Sequence, residues 1–350
     1  MVAGHLVTNA LTSLIVEYLK EAWEEERKYQ LPMLEDAQKE TINKRQGYVF
    51  DWHKWAEIGL AQKQAYGTDL SAGKTFSLTT SKGQLRLMAD YIDFDPFGES
   101  VRVDSVVEAA GRHFRKGIKR TQWEWMRGGI QIGSGYYDTA AGFDASGSES
   151  WTTPTKRHVG GSGADRAACI AAGFPASKPT AGFCHDLAFV LGMNGAPTFD
   201  DGTFHLALSR FGLKYLIKDD QDFRDLFEGG DLTVFKEGSL PKWGNFSIRI
   251  NDMPYRENSD VAVSSGSAYN FSSTGNLVYD YAYGPGFMGV VKLGAGGQNP
   301  TWKTQDINKV ANAGVTMSYS LINASGVIDA TWGIPFGYLV DDNDKASTSL

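Results

Sequence analysis

The sequence contains few of the residues that build disulfide scaffolds or metal sites. Only two of its 350 residues are cysteines, Cys169 and Cys184. Two cysteines cannot form the framework of a small secreted scaffold, and alone they do not make a metal site. The six histidines are scattered, and no two have the four-residue spacing that lets imidazoles on one helix bind a metal. We therefore expect a reducing compartment, no structural metal and no cofactor.

Positive charge and long apolar runs are also scarce. The chain has 34 Lys and Arg against 41 Asp and Glu, a net charge of −7. Because phosphate binding needs clustered cations, we expect only weak, non-specific contact with DNA. No stretch approaches the roughly 18 apolar residues of a membrane span, so we expect no membrane partner. The apolar run 11–16 leads directly into an acidic segment, which is not the pattern of a signal peptide.

The sequence contains two partial matches to motifs of catalytic or binding sites. Residues 67–75 resemble the end of a phosphate-binding loop, but five residues separate the two glycines where the motif needs four. Residues 160–164, Gly-Gly-Ser-Gly-Ala, match a nucleophile elbow except for the final alanine. A flexible loop is the simpler interpretation of the second motif. A serine hydrolase using Ser162 with His158 or His185 is the alternative.

Glycine and aromatic residues are plentiful. Forty glycines and 12% aromatic residues indicate many strands and turns, and the 42% hydrophobic content is that of a soluble globular protein. A chain of this length forms one or two domains. The aromatic, glycine-rich C-terminal half leaves a carbohydrate-binding or tail-spike-like β protein as a second alternative.

A long helix is predicted for residues 97–129, which we call the spine helix. Asp95-Pro96 is a typical start and Gly128-Gly129 a typical end. Between them, apolar residues recur every three or four positions: Val103, Val106, Val107, Ala110, Phe114, Ile118 and Trp125. Such a helix would be roughly 45 Å long. Its second half is basic, which complements the negative end of the helix dipole.

Alternating patterns on either side of the polar segment 56–73 predict a hairpin with a wide loop, which we call the flap. Residues 31–41 are predicted to be extended or irregular, and 130–182 a surface insertion with one short helix. The later patterns predict helices over 183–194 and 211–227, and strands over 203–209, 246–250, 276–293 and 315–338. This order of elements is typical of an α+β protein.

Three stretches carry a resemblance to a known family. They are Gly-Tyr-Val-Phe-Asp-Trp-His-Lys-Trp at 47–55, Phe-His-Leu-Ala-Leu-Ser at 204–209 with the helix after it, and residues 244–258 followed by 278–293. With the order of arm, flap, spine helix and mixed domain, they resemble major capsid proteins of tailed bacteriophages with the Hong Kong 97-type fold. Within that group the chain is most similar to the family typified by the capsid protein of phage N-four.

The resemblance implies a division of the chain. An N-terminal arm would span 1–40 and the extended β-hairpin flap, or E-loop, 41–81. The peripheral domain would span 82–182, with the spine helix and an insertion at 130–182. A mixed α/β axial domain would span 183–293. Return strands of the core and a polar tail would fill 294–350.

The resemblance also implies a structural role and no enzymatic activity. Copies would form hexamers and pentamers of an icosahedral shell around double-stranded DNA, assembled in the host cytoplasm, with scaffold, portal and decoration proteins as further partners. Candidate contacts between subunits are Trp52, Trp55, Tyr66, Arg115, Lys119 and Arg120. For the three aromatic residues, packing within their own subunit is the alternative. The basic residues of the spine helix would meet an acidic neighbouring subunit.

Overall fold

The computed structural model describes most of the chain between residues 31 and 341. The described residues are 31–42, 49–55, 78–94, 114, 117–118, 121–123, 125–127, 129–131, 138–139, 142–143, 152–160, 166–219, 221, 223, 239–257, 276–293, 301–306 and 315–341.

Two mixed sheets dominate the described residues. The five-stranded sheet contains β1 (Gln38–Ile42), β4 (Arg86–Phe94), β13 (Met288–Leu293), β14 (Thr301–Asp306) and β15 (Val315–Val327). The seven-stranded sheet contains β7 (Arg157–His158), β8 (Phe204–Ser209), β9 (Ser239–Trp243), β10 (Phe246–Asn251), β11 (Tyr255–Glu257), β12 (Leu277–Tyr283) and β16 (Gly333–Leu339). Two hairpins are formed by β2 (Val49–Trp55) with β3 (Leu78–Gln84), and by β5 (Asp138–Thr139) with β6 (Gly142–Phe143).

Four further helical elements have complete bounds. They are α1 (Pro32–Asp36), α2 (Arg166–Ala172), α3 (Ala181–Met193) and α4 (Arg210–Asp219), with a 3-10 turn at Ala330–Trp332. Helices α2, α3 and α4 confirm the predicted helices. Residues 221 and 223 after α4 are helical as well, and the predicted end at 227 lies outside the described residues. Helix α1 corrects the expectation that residues 31–41 are extended or irregular. Pro32 at its first position has the backbone angle that a helix start needs, and only the part from Gln38 onward is a strand.

The seven-stranded sheet is covered on both faces. Side chains of α3 and α4 pack with Leu206 and Leu208 of β8 in one apolar cluster. The alternate residue, Ala207, belongs to a second cluster that includes Trp123 and Ile130. Because successive residues of a strand point to opposite faces, α3 and α4 lie on one face and the end of the spine helix on the other. This explains why the central strands β8, β12 and β16 are buried at every residue rather than at alternate ones.

The second half of the spine helix is helical at every described position. Phe114, Ile118 and Trp125 are buried, which confirms the predicted apolar stripe in this half. The predicted end at 128–129 is wrong, because residues 129–131 are still helical. Ile130 is fully buried in the cluster beneath the seven-stranded sheet, and this packing continues the helix past its glycines. The first half, 97–113, lies outside the described residues.

The hairpin at the root of the flap has the predicted form. Strands β2 and β3 are antiparallel and in register from Val49 opposite Gln84 to Trp55 opposite Leu78. The segment between them, 56–77, lies outside the described residues. The bounds 41–81 for the whole flap stay a prediction.

The chain crosses between the two sheets at two adjacent links. One joins β12 to β13 through residues 284–287, and the other joins β15 to β16 through 328–332. The N–H of Gly284 donates to the carbonyl of Trp332 at 2.9 Å, and that of Ile328 donates to Phe287 at 2.9 Å. A side chain at Gly284 would overlap the carbonyl oxygen of Pro197. Within the predicted axial segment 183–293, β12 lies in the seven-stranded sheet and β13 in the five-stranded one. The bounds of that segment stay a prediction.

The insertion at 130–182 is not simply a surface loop, which corrects that expectation. Strand β7 pairs in parallel with β16 at one end of the seven-stranded sheet. Cys169 of α2 is fully buried in a cluster with Tyr255 and Tyr279. The second half of this segment thus contributes a strand and buried side chains to the seven-stranded sheet and its packing. Ser162 lies outside the described residues.

Candidate intersubunit surfaces

Trp52 anchors the root of the flap to the five-stranded sheet. Its side chain is 4% exposed and packs in a cluster with Ile42, Val291 and Ala324. The indole lies over Gly83 and Gly289, where an added Cβ would be only 2.6 Å from the ring. These two glycines make room for the tryptophan. The packing favours the alternative in which Trp52 is buried within its own subunit.

A charged contact holds the same face of the hairpin, since Trp52 and Lys54 are two residues apart on β2. Lys54 forms an ion pair with Asp329, and its ammonium lies 4.7 Å from the centre of the Trp332 ring. Asp329 also accepts hydrogen bonds from Thr331, at 3.0 Å from the backbone N–H and 2.7 Å from the hydroxyl. Since residues 328–332 are a link between the two sheets, the orientation of the flap root is tied to that link.

The other candidate contacts are only partly visible. The backbone of Trp55 pairs with Leu78, but its side chain is outside the described part of the structure. Tyr66, Arg115, Lys119 and Arg120 lie outside the described residues altogether. Their roles between subunits stay predictions.

The end of the N-terminal arm is pinned to the seven-stranded sheet by a polar cluster. Asp36 accepts a hydrogen bond from the Tyr283 hydroxyl at 2.8 Å, and its carboxylate lies 2.6 Å from Nδ1 of His205. Phe199 stacks on the His205 ring with centroids 3.6 Å apart. Burial and the neighbouring Asp36 raise the pKa of Tyr283, so its hydroxyl stays protonated and donates. Sequence reasoning missed this cluster.

The end of the spine helix is fastened to the turn between β10 and β11. The indole N–H of Trp123 donates to the carbonyl of Met253. Arg127 donates to the carbonyl of Pro254 at 2.8 Å, and its guanidinium lies 5.7 Å from the centre of the Tyr255 ring. These bonds satisfy backbone groups that would otherwise be buried without partners.

A buried carboxyl group joins α4 to the seven-stranded sheet. Asp280 of β12 accepts hydrogen bonds from the backbone N–H of Ser209 and from the Tyr338 hydroxyl, both at 2.8 Å. An added Cβ at Gly212 would lie 2.6 Å from this carboxylate, so glycine permits the close approach. Burial raises the pKa of Asp280 to about 7.

A second polar cluster fixes α2 to the sheet edge. Glu257 pairs with Arg166 at 3.1 Å and accepts a hydrogen bond from the Tyr279 hydroxyl at 3.1 Å. That hydroxyl also lies 3.1 Å from Nε2 of His158. His185, the other histidine of the hydrolase alternative, packs instead against Trp243 with ring centroids 4.9 Å apart. The two histidines therefore have different structural partners.

Two kinds of site are absent from the described residues. No group of three His, Cys, Asp or Glu side chains in this part of the chain is arranged to hold a metal ion. Within the same residues, no helix is both long and apolar enough to cross a membrane.

Among the described residues, the most exposed large apolar side chains lie at two places that face neither core. Leu87 and Tyr91 on β4 are each 65% exposed, and Phe189 and Met193 on α3 are 69% and 73% exposed. On β4 they share one face, since they are four residues apart on a strand. These are the most apolar surfaces that the described residues offer to a neighbour.

Comparison with known proteins gives no match to any protein-family model or curated protein. Solved structures do match. The capsid of Ralstonia phage GP4 has a TM-score of 0.61 at 13% identity, over 88% of each chain. The acid-stable capsid of Helicobacter pylori bacteriophage KHP30 has a TM-score of 0.58 at 9% identity, over 89% of this chain and 92% of that one. The Cyanophage Pam1 capsid gives 0.53 at 13% identity, over 85% and 86%. The chain therefore has the α+β fold of Hong Kong 97-type capsid proteins, as the sequence resemblance implied.

Proposed function

We propose that this chain is the major capsid protein of a tailed bacteriophage, of the kind found in phage N-four. Copies of it assemble as hexamers and pentamers into an icosahedral shell around double-stranded DNA. The fold, shared over about nine-tenths of the chain with solved phage capsids, is the observation that carries the proposal. The protein is a virion component with a structural role rather than a catalytic one.

The attachment of the arm and the flap supports this role. Strand β1 follows the arm and pairs in parallel with β13, and Asp36 holds the arm to the other sheet. The flap root is fixed to the same body by Trp52 and Lys54. Firmly rooted extensions can wrap neighbouring copies. Such contacts bury area between identical subunits and close by symmetry.

The spine helix supplies a further contact in this proposal. Its basic residues Arg115, Lys119 and Arg120 meet an acidic region of a neighbouring subunit. Reversing all three charges should reduce the yield of shells more than it reduces the thermal stability of the subunit. Negative-stain counts of shells and a circular dichroism melt measure the two effects. An unchanged shell yield contradicts this contact.

The other proposed partners are those that a capsid shell would meet during assembly and genome packaging. Assembly takes place in the host cytoplasm, with scaffold, portal and decoration proteins as possible companions of the shell. The net charge of −7 supports weak and non-specific contact with packaged DNA. Low phosphate affinity leaves the genome mobile inside the shell.

Sedimentation and electron microscopy of the purified chain test the proposal. The expected result is rings and closed shells under at least one assembly condition. A chain that stays monomeric under every condition, including co-expression with its neighbouring genes, contradicts it. Esterase activity abolished by Ser162→Ala would favour the hydrolase alternative instead. Specific sugar binding by a non-assembling monomer would favour the carbohydrate-binding one.

A further inference from the structure

The outward face of α3 has an apolar strip that its own chain does not cover. Cys184, Leu187 and Leu191 are fully buried and face the sheet. Phe189 and Met193, four residues apart, point the other way and are 69% and 73% exposed. Single exposed apolar residues are ordinary on protein surfaces. Two large ones on adjacent turns form a continuous strip.

Glycine on the same face points to a close neighbour. Gly192 lies in the last turn of α3 and is exposed, and a Cβ added there would meet nothing within 4 Å. Glycine in a helix is less stable than alanine by up to about 1 kcal/mol. Contacts with the described residues do not require glycine at this position. Another protein approaching this face closely would.

The charges of α3 and α4 are opposite. Residues 181–203, which cover α3 and the loop after it, include Asp186, Asp200 and Asp201 but no lysine or arginine. Helix α4 has Arg210, Lys214 and Lys218 at four-residue spacing, and all three are exposed. Residues at this spacing lie on one face of a helix. Asp186 is the carboxylate on α3 itself, since Asp201 lies 4.0 Å from Lys242, and Arg210 already pairs with Asp252 at 3.0 Å. The chain thus has an apolar helix face with one carboxylate, and a basic ridge, carried by Lys214 and Lys218, on the next helix.

We propose that the outward face of α3 in one copy packs against the basic ridge of α4 in the next copy. Lys214 and Lys218 have long aliphatic stems that can cover Phe189 and Met193 while their ammonium groups reach Asp186. The two surfaces differ, so the contact is head-to-tail and can close into a ring. This inference rests on the proposed shell function and specifies one contact within it.

Charge complementarity selects a second copy as the occupant. An acidic surface would meet Asp186 with like charge, whereas Lys214 and Lys218 of a second copy meet it with opposite charge, although the whole chain is acidic. Met193 also lines a cleft of about 700 Å³ between the end of α3 and the flap root, so the apolar surface continues toward Lys54 and Trp332. The neighbouring copy can extend its contact into this cleft.

The first test is the double variant Phe189→Asp with Met193→Asp. Both side chains are exposed, so the subunit should keep its circular dichroism spectrum and its melting temperature. Shell yield by sedimentation should fall by at least about tenfold, the equivalent of about 1.4 kcal/mol per contact. The matched control is Ala171→Asp, an added carboxylate at an exposed position of α2. It should assemble like the wild type.

The shell yields of the wild type, the double variant and the control distinguish a failure of the α3–α4 contact from a failure of the proposed capsid function. If the wild type forms no shells, the proposed function fails. If the wild type and the double variant both form shells at equal yield, only the α3 contact is wrong. A loss of shells in the control as well would show that any added charge disrupts assembly, which overturns the assignment to α3.

A charge exchange tests the partner surface. Asp186→Lys and Lys214→Glu with Lys218→Glu should each lower the shell yield by several-fold, because each places like charges across the contact. Combining them restores opposite charges and should recover most of the wild-type yield. No recovery in the combined variant overturns the pairing of α3 with α4.

Discussion

The two sheets differ in how completely one chain covers them. In the seven-stranded sheet, every residue of β8, β12 and β16 is buried, because helices pack on both faces. In the five-stranded sheet, β4 exposes Leu87 and Tyr91 at 65% each. A single copy thus completes one sheet and leaves apolar surface on the other. In a shell subunit this division gives a self-sufficient body and a surface available to neighbours.

The seven-stranded sheet and the flap root also differ in the number of side-chain contacts that hold them. Polar residues inside the seven-stranded sheet, such as Asp280 and Glu257, bond to several partners from separate parts of the chain. The flap root is held by a few side chains, chiefly Trp52, Lys54 and Ser81, whose hydroxyl donates to the carbonyl of Ile328 at 3.3 Å. The seven-stranded sheet is therefore stabilised by many shared contacts. The β2–β3 hairpin is stabilised by a few contacts, which single substitutions can remove.

The largest effect is expected for Trp52→Ala. Replacing a buried tryptophan with alanine typically costs about 3–5 kcal/mol, because transfer free energy is lost and a cavity remains. The lost packing energy should mainly weaken the docking of the β2–β3 hairpin onto the five-stranded sheet. Hydrogen exchange should therefore accelerate in this hairpin and stay slow in β8, β12 and β16. Trp52→Phe is the matched control and should lose much less. Equal acceleration in both sheets would contradict the division.

Asp280→Asn probes the buried carboxyl of the seven-stranded sheet. The pKa of Asp280 is about 7 in the folded state against 3.8 for a solvated aspartate, so the folded state binds the proton more tightly than the unfolded chain does. The wild-type free energy of unfolding therefore falls as pH rises from about 4 to 7, by about 2–4 kcal/mol from this group. Asparagine does not titrate and can keep bonds to Ser209 and Tyr338.

Urea unfolding of both proteins across this pH range measures the effect. Subtracting the two curves removes the contributions of all other groups. The free energy of unfolding of the asparagine variant, relative to that of the wild type, should rise up to about pH 7 and then stay constant. A difference that is independent of pH would contradict the raised pKa and place the carboxyl in contact with water.

Gly284→Ala tests the link between the two sheets. The new methyl group would overlap the Pro197 carbonyl, and the backbone there is held by the bond from Gly284 to Trp332. Overpacking of this kind typically costs about 1–3 kcal/mol. Gly182→Ala, where a Cβ meets nothing within 4 Å, is the matched control. Similar melting temperatures for the two variants would show that the link is not tightly packed.

The smallest effect on the subunit is expected for Leu87→Ser with Tyr91→Ser. Both side chains are mostly exposed, so the free energy of unfolding should change by less than about 0.5 kcal/mol per site. Shell yield should fall if a neighbour covers β4. A clear loss of subunit stability would mean that this face is already packed within the chain.

Local patterns in the sequence predicted much of this fold. The apolar stripe at Phe114, Ile118 and Trp125 predicted the buried face of the spine helix, and the alternation in 47–55 predicted β2. The prediction failed where tertiary packing overrides local signals. Ile130 extends the spine helix past two glycines, and β7 draws a glycine-rich segment into the sheet.

The polar clusters could not be predicted from spacing. Asp36 and His205 are 169 residues apart, and Ser209 and Asp280 are 71 apart. No periodicity connects such pairs, because the fold alone brings them together. The candidate contacts between subunits share this difficulty. Tryptophan is a residue type that is common at interfaces. Trp52 nevertheless packs inside its own chain, because Gly83 and Gly289 leave room for its indole ring.

A three-dimensional reconstruction of the assembled particles by electron cryomicroscopy tests the central claim most directly. The account predicts a closed icosahedral shell of this chain alone or with accessory proteins. The seven-stranded sheets should surround the hexamer and pentamer centres, with neighbouring copies covering α3, β4 and the flap. Particles without rings of this subunit, or a purified chain that never associates, would contradict it.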